Sequence, residues 1–238
     1  MSVYGYRARI GYTSPPVVTE VFPYEFYRIV PDGVTLGVTT LAILDVTAEE
    51  MQQSMQISLR AVREMGKAGM NLAVLGGLPI NLTVGVDNVD DLIAETEQAA
   101  GIPIATSFTS QMHALQTLGA KKVAMVQPGA PGGYEFMEKH GYQVVGCAGA
   151  GFPLANDWGK VPIDKARTIA RDLVKAHPDA DTIHFLCPHW ATNSVIDELE
   201  QELGVNVLTA SQAIIWESLR RCDINDRIPG WGKLLHEH

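Results

Sequence analysis

Short apolar runs alternate with longer amphipathic segments along the chain. Residues 71–77 and 122–126 are almost wholly apolar, which is typical of strands buried on both faces of a parallel sheet. Residues 47–67 and 163–176 carry their apolar side chains at helical spacing, and Thr47 with Glu50 forms a capping box at the start of the first. This alternation predicts an α/β fold built on parallel strands.

The same patterns predict the remaining elements. Strands are expected at 8–12, 34–44, 102–106, 142–146 and 205–209, and in the run that begins at Asp181 and ends at Cys187. Helices are expected at 20–29, 89–100, 110–118, 134–140, 192–202 and 212–222.

Two segments of the chain look like copies of one another. Residues 92–104 align with 195–207, and both copies keep a Glu-Gln pair and a glycine that ends the helix. We therefore expect two pseudo-symmetric parallel-sheet α/β subdomains with the active site in the cleft between them. The first is residues 1–115, on which residues 212–238 pack back, and the second is residues 116–211. The strands that end at Gly77 and at Cys187 are then equivalent, and both ends should face one bound molecule.

Charge and cysteine content narrow the function classes. The chain has 238 residues and a formal net charge of −9, which argues against nucleic acid as a partner because phosphate binding needs a cationic face. Cys147, Cys187 and Cys222 are odd in number and widely spaced, so they predict neither a disulfide framework nor a metal site. The first residues lack the apolar core of a signal peptide, and no apolar run is long enough to span a membrane. We expect a cytoplasmic protein with no membrane partner.

Cys187 is the strongest candidate for chemistry. It ends a strand just before a predicted helix, where substrates of open α/β sheets bind and where a helix amino end favours a thiolate. The alternative is a small apolar residue that caps the core, because free cysteine is among the most buried residue types. His189 could polarise the thiol or bind a carboxylate, although a histidine at a helix start is more often solvated or capping.

Several short motifs resemble one family in their order and spacing. They are Ile10-Gly11 followed by Pro15-Pro16, then Leu75-Gly76-Gly77, Leu186-Cys187, Ser211-Gln212-Ala213 with Trp216, and the tail Pro229 to Leu234. Over nearly its whole length the chain resembles the aspartate/glutamate racemase superfamily. It is most similar to the arylmalonate decarboxylase and maleate cis–trans isomerase branch.

The resemblance implies a reaction and two catalytic positions. Members of the superfamily carry a cysteine at each of the two strand ends, whereas Gly77 stands at the first end here. Glycine at that position is the pattern of the decarboxylase, whose remaining cysteine protonates the enediolate left when carbon dioxide departs. The resemblance therefore implies a cofactor-free lyase that decarboxylates a substituted malonate or similar dicarboxylate. Cys187 would be its proton donor, and Gly77 a side-chain-free wall opposite the thiol.

The resemblance also implies a set of substrate-binding residues. Ile43 and Val46 would form part of an apolar wall, although core packing is at least as probable for either alone. Leu78 and Pro79 replace hydroxyl donors of the decarboxylase, and Pro188 removes the amide that follows Cys187, so the oxyanion donors must differ. Thr13, Ser14, Asn156 or His189 could compensate for them. The complete expected set is Thr13, Ser14, Pro15, Ile43, Val46, Gly76, Leu78, Asn156, Pro188 and His189.

Two other functions stay open at this point. One is a maleate cis–trans isomerase-like or lyase activity that uses Cys187 as the nucleophile. The other is a carboxylate-binding protein on a decayed catalytic scaffold. Every alternative takes a small carboxylic acid and needs no metal or cofactor, and a homo-oligomer is compatible with each.

Overall fold

The protein contains two parallel sheets of the same topology. The computed structural model describes residues 4–16, 20–43 and 47–238. The first sheet has the order β2-β1-β3-β4 and the second the order β6-β5-β7-β8. The strands are β1 Ala8–Pro16, β2 Val34–Ile43, β3 Leu72–Leu75, β4 Ile104–Thr106, β5 Lys122–Gln127, β6 Gln143–Gly149, β7 Thr182–Phe185 and β8 Asn206–Thr209. The predicted α/β class is confirmed.

Ten helices are described between and after these strands. They are α1 Val21–Ile29, α2 Ala48–Lys67, α3 Leu78–Asn81, α4 Val89–Ala100, α5 Ser107–Thr117, α6 Glu135–Lys139, α7 Ile163–Ala176, α8 Ile196–Leu203, α9 Ala210–Arg221 and α10 Gly232–Glu237. The predicted capping residue of α2 is confirmed, since the Thr47 hydroxyl accepts the N–H of Glu50 at 3.2 Å. None of the described helices is long and apolar enough to cross a membrane.

The chain divides into two compact units. The first contains residues 1–111 and 214–226. Its core includes Leu41 and Ile43 of β2, Met55 and Val62 of α2, and Leu75 of β3. Helices α2 and α4 therefore cover one face of the first sheet.

The second unit contains residues 112–213 and 227–238. Its core joins the buried side of α7 and α8 to the second sheet, and includes Ile183 and Phe185 of β7. Trp190 packs in the same core and meets the Phe185 ring edge-on, with ring centroids 5.9 Å apart. Trp190 is thus a core residue.

One hydrogen bond recurs in both units and shows the internal repeat in atomic detail. Glu97 Oε1 accepts the N–H of Ile104 at 2.9 Å, and Glu200 Oε1 accepts the N–H of Val207 at 3.2 Å. In each copy a helix glutamate therefore holds the next strand of its own sheet. These four residues occupy matching places in the two segments that align in the sequence.

The carboxyl-terminal segment differs from its expected place. Residues 214–226 belong to the first unit, whereas residues 227–238 belong to the second. The reason is a pair of backbone donors at the start of α10. The N–H of Gly232 donates to Asp197 at 2.5 Å, and the N–H of Lys233 donates to Glu200 at 2.9 Å. Both acceptors lie on α8, which anchors the terminal helix to the second unit.

Candidate active site

The turn after β3 is built around two glycines. Gly76 approaches β1 so closely that an added Cβ would lie 1.9 Å from the Thr13 carbonyl oxygen. Gly77 has a φ of +86°, where side chains are rarely tolerated. A Cβ there would lie 2.7 Å from Pro15 Cγ and 2.9 Å from Ile80 Cδ1. The local fold therefore requires glycine at both positions, whatever else the turn does.

The end of β1 packs against this turn and is hydrogen-bonded to it. Thr13 and Ser14 are fully buried, and Pro15 is half-buried beside Gly77. The Thr13 hydroxyl accepts the N–H of Gly76 at 3.0 Å and the hydroxyl of Ser58 at 2.9 Å. Of the expected donors at this strand end, Thr13 is thus already engaged within the first unit.

The expected apolar residues of the first unit are buried. Ile43, at the end of β2, is 5% exposed and belongs to the core cluster of α2 and β3. Leu78 opens α3 and is 8% exposed, while the neighbouring Pro79 is exposed and offers no N–H. Val46 lies outside the described residues. The contacts of Ile43 are therefore those of a core residue.

Cys187 lies at the carboxyl end of β7 as a buried free thiol, 9% exposed. The backbone N–H of His189 donates a hydrogen bond to its sulfur at 3.4 Å. Pro188, between them, is buried and has no N–H to give. The donor at the thiol is therefore the second residue after it rather than the first.

The helix expected to start beside the thiol begins later. Helix α8 starts at Ile196, and a single 3₁₀ turn at Asn193–Val195 precedes it. A helix dipole acts mainly within the first turn, so α8 is too far along the chain to favour a thiolate at Cys187. The group that favours a thiolate at Cys187 is instead the backbone N–H of His189, which donates to the sulfur.

The side chain of His189 is electrically neutral at pH 7. Burial lowers the pKa of His189 to about 4. Both of its ring nitrogens are buried and have no hydrogen-bond partner within the described residues. The imidazole can therefore exchange hydrogen bonds with a ligand, but it cannot attract a carboxylate as a cation.

Asn156 lies in the 3₁₀ segment Ala155–Lys160, between β6 and α7. The loop before this segment is fixed just after β5, because the Phe152 N–H donates to the Pro128 carbonyl at 2.9 Å. The segment is bound to that loop, because the Trp158 indole N–H donates to the Phe152 carbonyl at 2.9 Å. The Asn156 Oδ1 atom is buried and makes no hydrogen bond within the part of the chain that the structure describes. Asparagine in a loop usually bonds its own backbone. The unpaired oxygen can accept a hydrogen bond from a ligand, whereas a carboxylate would have to be bound by the Nδ2 donor.

Three further polar residues hold the strand ends and are not among the residues predicted from the sequence. Asn81 donates from Nδ2 to Leu75 at 3.1 Å and accepts the N–H of Phe108 at 3.2 Å, which joins the end of β3 to the start of α5, directly after β4. Asn193 accepts hydrogen bonds from Thr209 and Ser211 after β8. The third is Ser58. An asparagine a few residues after each equivalent strand was the signal for the first two, whereas Ser58 lies far from Thr13 in the chain.

No group of three or more metal-ligating side chains occurs within residues 4–16, 20–43 and 47–238.

Comparison with known proteins identifies the family. The family model described as arylmalonate decarboxylase matches residues 10–235. The chain belongs to the arylmalonate decarboxylase family. Within this family, arylmalonate decarboxylase of Bordetella bronchiseptica is 25% identical over 233 residues, 96% of each chain.

Two further likenesses agree with this membership. Maleate isomerase of Geobacillus stearothermophilus is 22% identical over 210 residues, 84% of this chain and 83% of that protein. A crystal structure of arylmalonate decarboxylase covers 97% of this chain and all of its own, with a TM-score of 0.83 and 23% identity. The resemblance to the arylmalonate decarboxylase and maleate isomerase branch is confirmed. Because these relatives are decarboxylases and isomerases, membership of the family supports an enzymatic function.

Proposed function

We propose that the protein is a cofactor-free decarboxylase of a substituted malonate or similar dicarboxylate, with Cys187 as the proton donor. The observation that carries this proposal is the unequal pair of equivalent strand ends. Strands β3 and β7 hold the same place, third in the strand order of their sheets. Gly77 follows β3 and a buried free thiol, Cys187, follows β7. A single thiol suits a reaction that needs one proton donor, whereas racemisation needs an acid and a base on opposite faces.

The proposed reaction has two steps. The bond between the central carbon and one carboxylate breaks, carbon dioxide leaves, and the electron pair enters the remaining carboxylate as an enediolate. Cys187 Sγ–H then gives its proton to the central carbon. The thiolate recovers a proton from water, and the hydroxide left behind combines with the released carbon dioxide as bicarbonate, so atoms and charge balance. The N–H of His189 stabilises the transient thiolate, because a hydrogen bond to the charged form favours that form.

The neutral surroundings of the thiol also suit loss of carbon dioxide. His189, whose backbone N–H donates to the thiol, is uncharged at pH 7. A carboxylate held only by neutral donors is less stabilised than one paired with a cation. Its departure as neutral carbon dioxide is therefore favoured. We propose that the Gly76–Gly77 turn holds the carboxylate that stays.

Product analysis in heavy water tests this proposal. The protein is incubated with 2-methyl-2-phenylmalonate in D₂O and followed by proton NMR. A decarboxylase releases carbon dioxide and gives 2-phenylpropionate that carries deuterium at the former carboxylated carbon. If arylmalonates are not converted, alkylmalonates are assayed in the same way. Binding of these acids without conversion would support a carboxylate-binding protein instead.

The hydrogen bond from His189 to the Cys187 sulfur also favours a second candidate. A stabilised thiolate could add to the double bond of a maleate-like acid, permit rotation about the resulting single bond, and leave again. Maleate would then give fumarate, with no carbon dioxide released. The same NMR assay with maleate separates the two reactions by their products.

A further inference from the structure

The Thr13 hydroxyl joins three parts of the first unit. It accepts a hydrogen bond from Ser58 of α2 at 2.9 Å and another from the N–H of Gly76 at 3.0 Å. Its own hydrogen points to the carbonyl oxygen of Val74 in β3, at 3.4 Å. Thr13 and Ser58 are both fully buried.

These three contacts use the full hydrogen-bonding capacity of the group. A hydroxyl has one hydrogen to donate and two lone pairs that accept. With the donor directed at Val74 and both lone pairs engaged, Thr13 has nothing left for a substrate oxygen. The expectation that Thr13 replaces a missing oxyanion donor is therefore revised. Its contacts are those of a support.

The supported group is the glycine turn. Thr13 fixes the N–H of Gly76 on one side of the turn. On the other side, the N–H of Asn81 donates to the Gly77 carbonyl at 3.0 Å, and the Asn81 side chain holds Leu75 at 3.1 Å. The peptide unit between the two glycines thus lies between two anchored points. Glycines are otherwise the most mobile residues of a chain, so a turn of this kind depends on such anchors.

We propose that Thr13 is a positioning residue that orients the Gly76–Gly77 turn for a substrate carboxylate, with Ser58 holding Thr13 in place. This inference rests on the proposed function, in which the turn contacts the substrate. Ser58 has no direct role toward the substrate and acts through Thr13 alone.

The test compares ligand binding at the turn in four forms of the full-length protein. Thr13→Val keeps the β-branched shape but removes the hydroxyl, and Thr13→Ser keeps the hydroxyl. Thr96→Val is the matched control, because Thr96 is buried in the same unit and, among the described residues, its hydroxyl donates to Leu92 of its own helix. The probe is 2-phenylpropionate, titrated while the Gly76 and Gly77 amide signals are followed by ¹⁵N NMR.

The expected result is saturable movement of the Gly77 signal in the wild type. Thr13→Val should weaken binding about tenfold or more, since small misplacements of positioning groups have large effects. Thr13→Ser should bind within about threefold of the wild type, and so should Thr96→Val, because neither removes the anchor of Gly76. Thermal midpoints of all forms separate this effect from general destabilisation, which Thr96→Val shares. If Thr13→Val fails to fold, Ser58→Ala carries the test, with Ser54→Ala as its buried neighbour on the same helix.

Two results would overturn the inference. One is wild-type-like binding by Thr13→Val, and the other is a Gly77 signal that does not respond to the probe in the wild type. Neither depends on turnover. The decarboxylase proposal fails separately, if the acids bind but no carbon dioxide forms.

Discussion

The backbone N–H of His189 lies 3.4 Å from the Cys187 sulfur and donates a hydrogen bond to it. Pro188, between the two residues, cannot donate. In this Cys-Pro-His sequence the thiol therefore accepts its hydrogen bond from the second residue after it, because the first has no N–H. The His189 ring, which looked from the sequence like the partner of the thiol, makes no hydrogen bond within the described residues.

Buried neutral histidines should make the protein sensitive to acid. Burial lowers the pKa of His184 to about 3 and that of His189 to about 4. An unfolded chain binds these protons near pH 6.5, so below that pH the unfolded state takes up more protons than the folded one. Stability should fall as the pH drops from about 6.5 toward 4, by on the order of 1.4 kcal/mol per pH unit for each histidine.

Urea unfolding of His184→Leu and the wild type at pH 7, 6 and 5 checks this prediction. The variant should lose less stability between pH 7 and 5 than the wild type does. His236→Gln, at an exposed position, is the control and should follow the wild type. Equal losses in His184→Leu and the wild type would contradict a neutral His184.

Gly77→Ala should destabilise the first unit through two effects. The left-handed φ of +86° strains any side chain, and the added Cβ would press on Pro15 Cγ. Gly101→Ala is a matched control, because Gly101 has a φ of +70° but nothing within 4 Å of its Cβ position. Gly101→Ala should lose about 1 kcal/mol from backbone strain in the left-handed region, and Gly77→Ala about 1–3 kcal/mol more, because its ψ of 95° lies outside that region and the added Cβ is overpacked. Equal losses of unfolding free energy would show that the Gly77 turn adapts freely.

Alanine substitutions at two asparagines should have different effects: Asn81→Ala should lower stability, whereas Asn156→Ala should leave stability almost unchanged. Asn81 holds Leu75 and Phe108 with its buried side chain, so Asn81→Ala should cost about 1–3 kcal/mol of unfolding free energy. The Asn156 oxygen has no partner within the described residues, so Asn156→Ala should cost under about 0.5 kcal/mol.

Ligand affinity should respond in Asn156→Ala if that amide holds a carboxylate. The dissociation constant for 2-phenylpropionate should rise about tenfold, as for a lost hydrogen bond to a charged group. An unchanged affinity together with unchanged stability would remove Asn156 from the site.

The repeated framework could be predicted from the sequence because it depends on local pattern. Buried runs mark the strands, and the aligned copies end in glycines with left-handed φ values of 70° at Gly101 and 68° at Gly204. Glu97 and Glu200 stand at the same place in the two copies and bond the equivalent strands. The division of the carboxyl-terminal segment could not be predicted, because it depends on two backbone donors that meet α8.

The candidate site was predictable only in part. Cys187 and Gly77 mark equivalent strand ends, which the repeat and the apolar runs reveal. The role of Thr13 was not predictable, since it depends on Ser58, which approaches it only in the folded chain. The delayed start of α8 was also missed, because the residues after Cys187 have helical spacing but begin with a proline and a 3₁₀ turn.

The most direct test of the account is the rate of carbon dioxide release from 2-methyl-2-phenylmalonate by Cys187→Ala and Cys222→Ala, side by side with the wild type. Both variants remove a free thiol, and Cys222 has no role in the proposed reaction. Cys187→Ala should still bind 2-phenylpropionate but release carbon dioxide at least about 100-fold more slowly under turnover, because an enediolate without a proton donor recombines with carbon dioxide before either leaves the site. Cys222→Ala should match the wild type. Release by Cys187→Ala at the wild-type rate would contradict the assignment of Cys187 as proton donor.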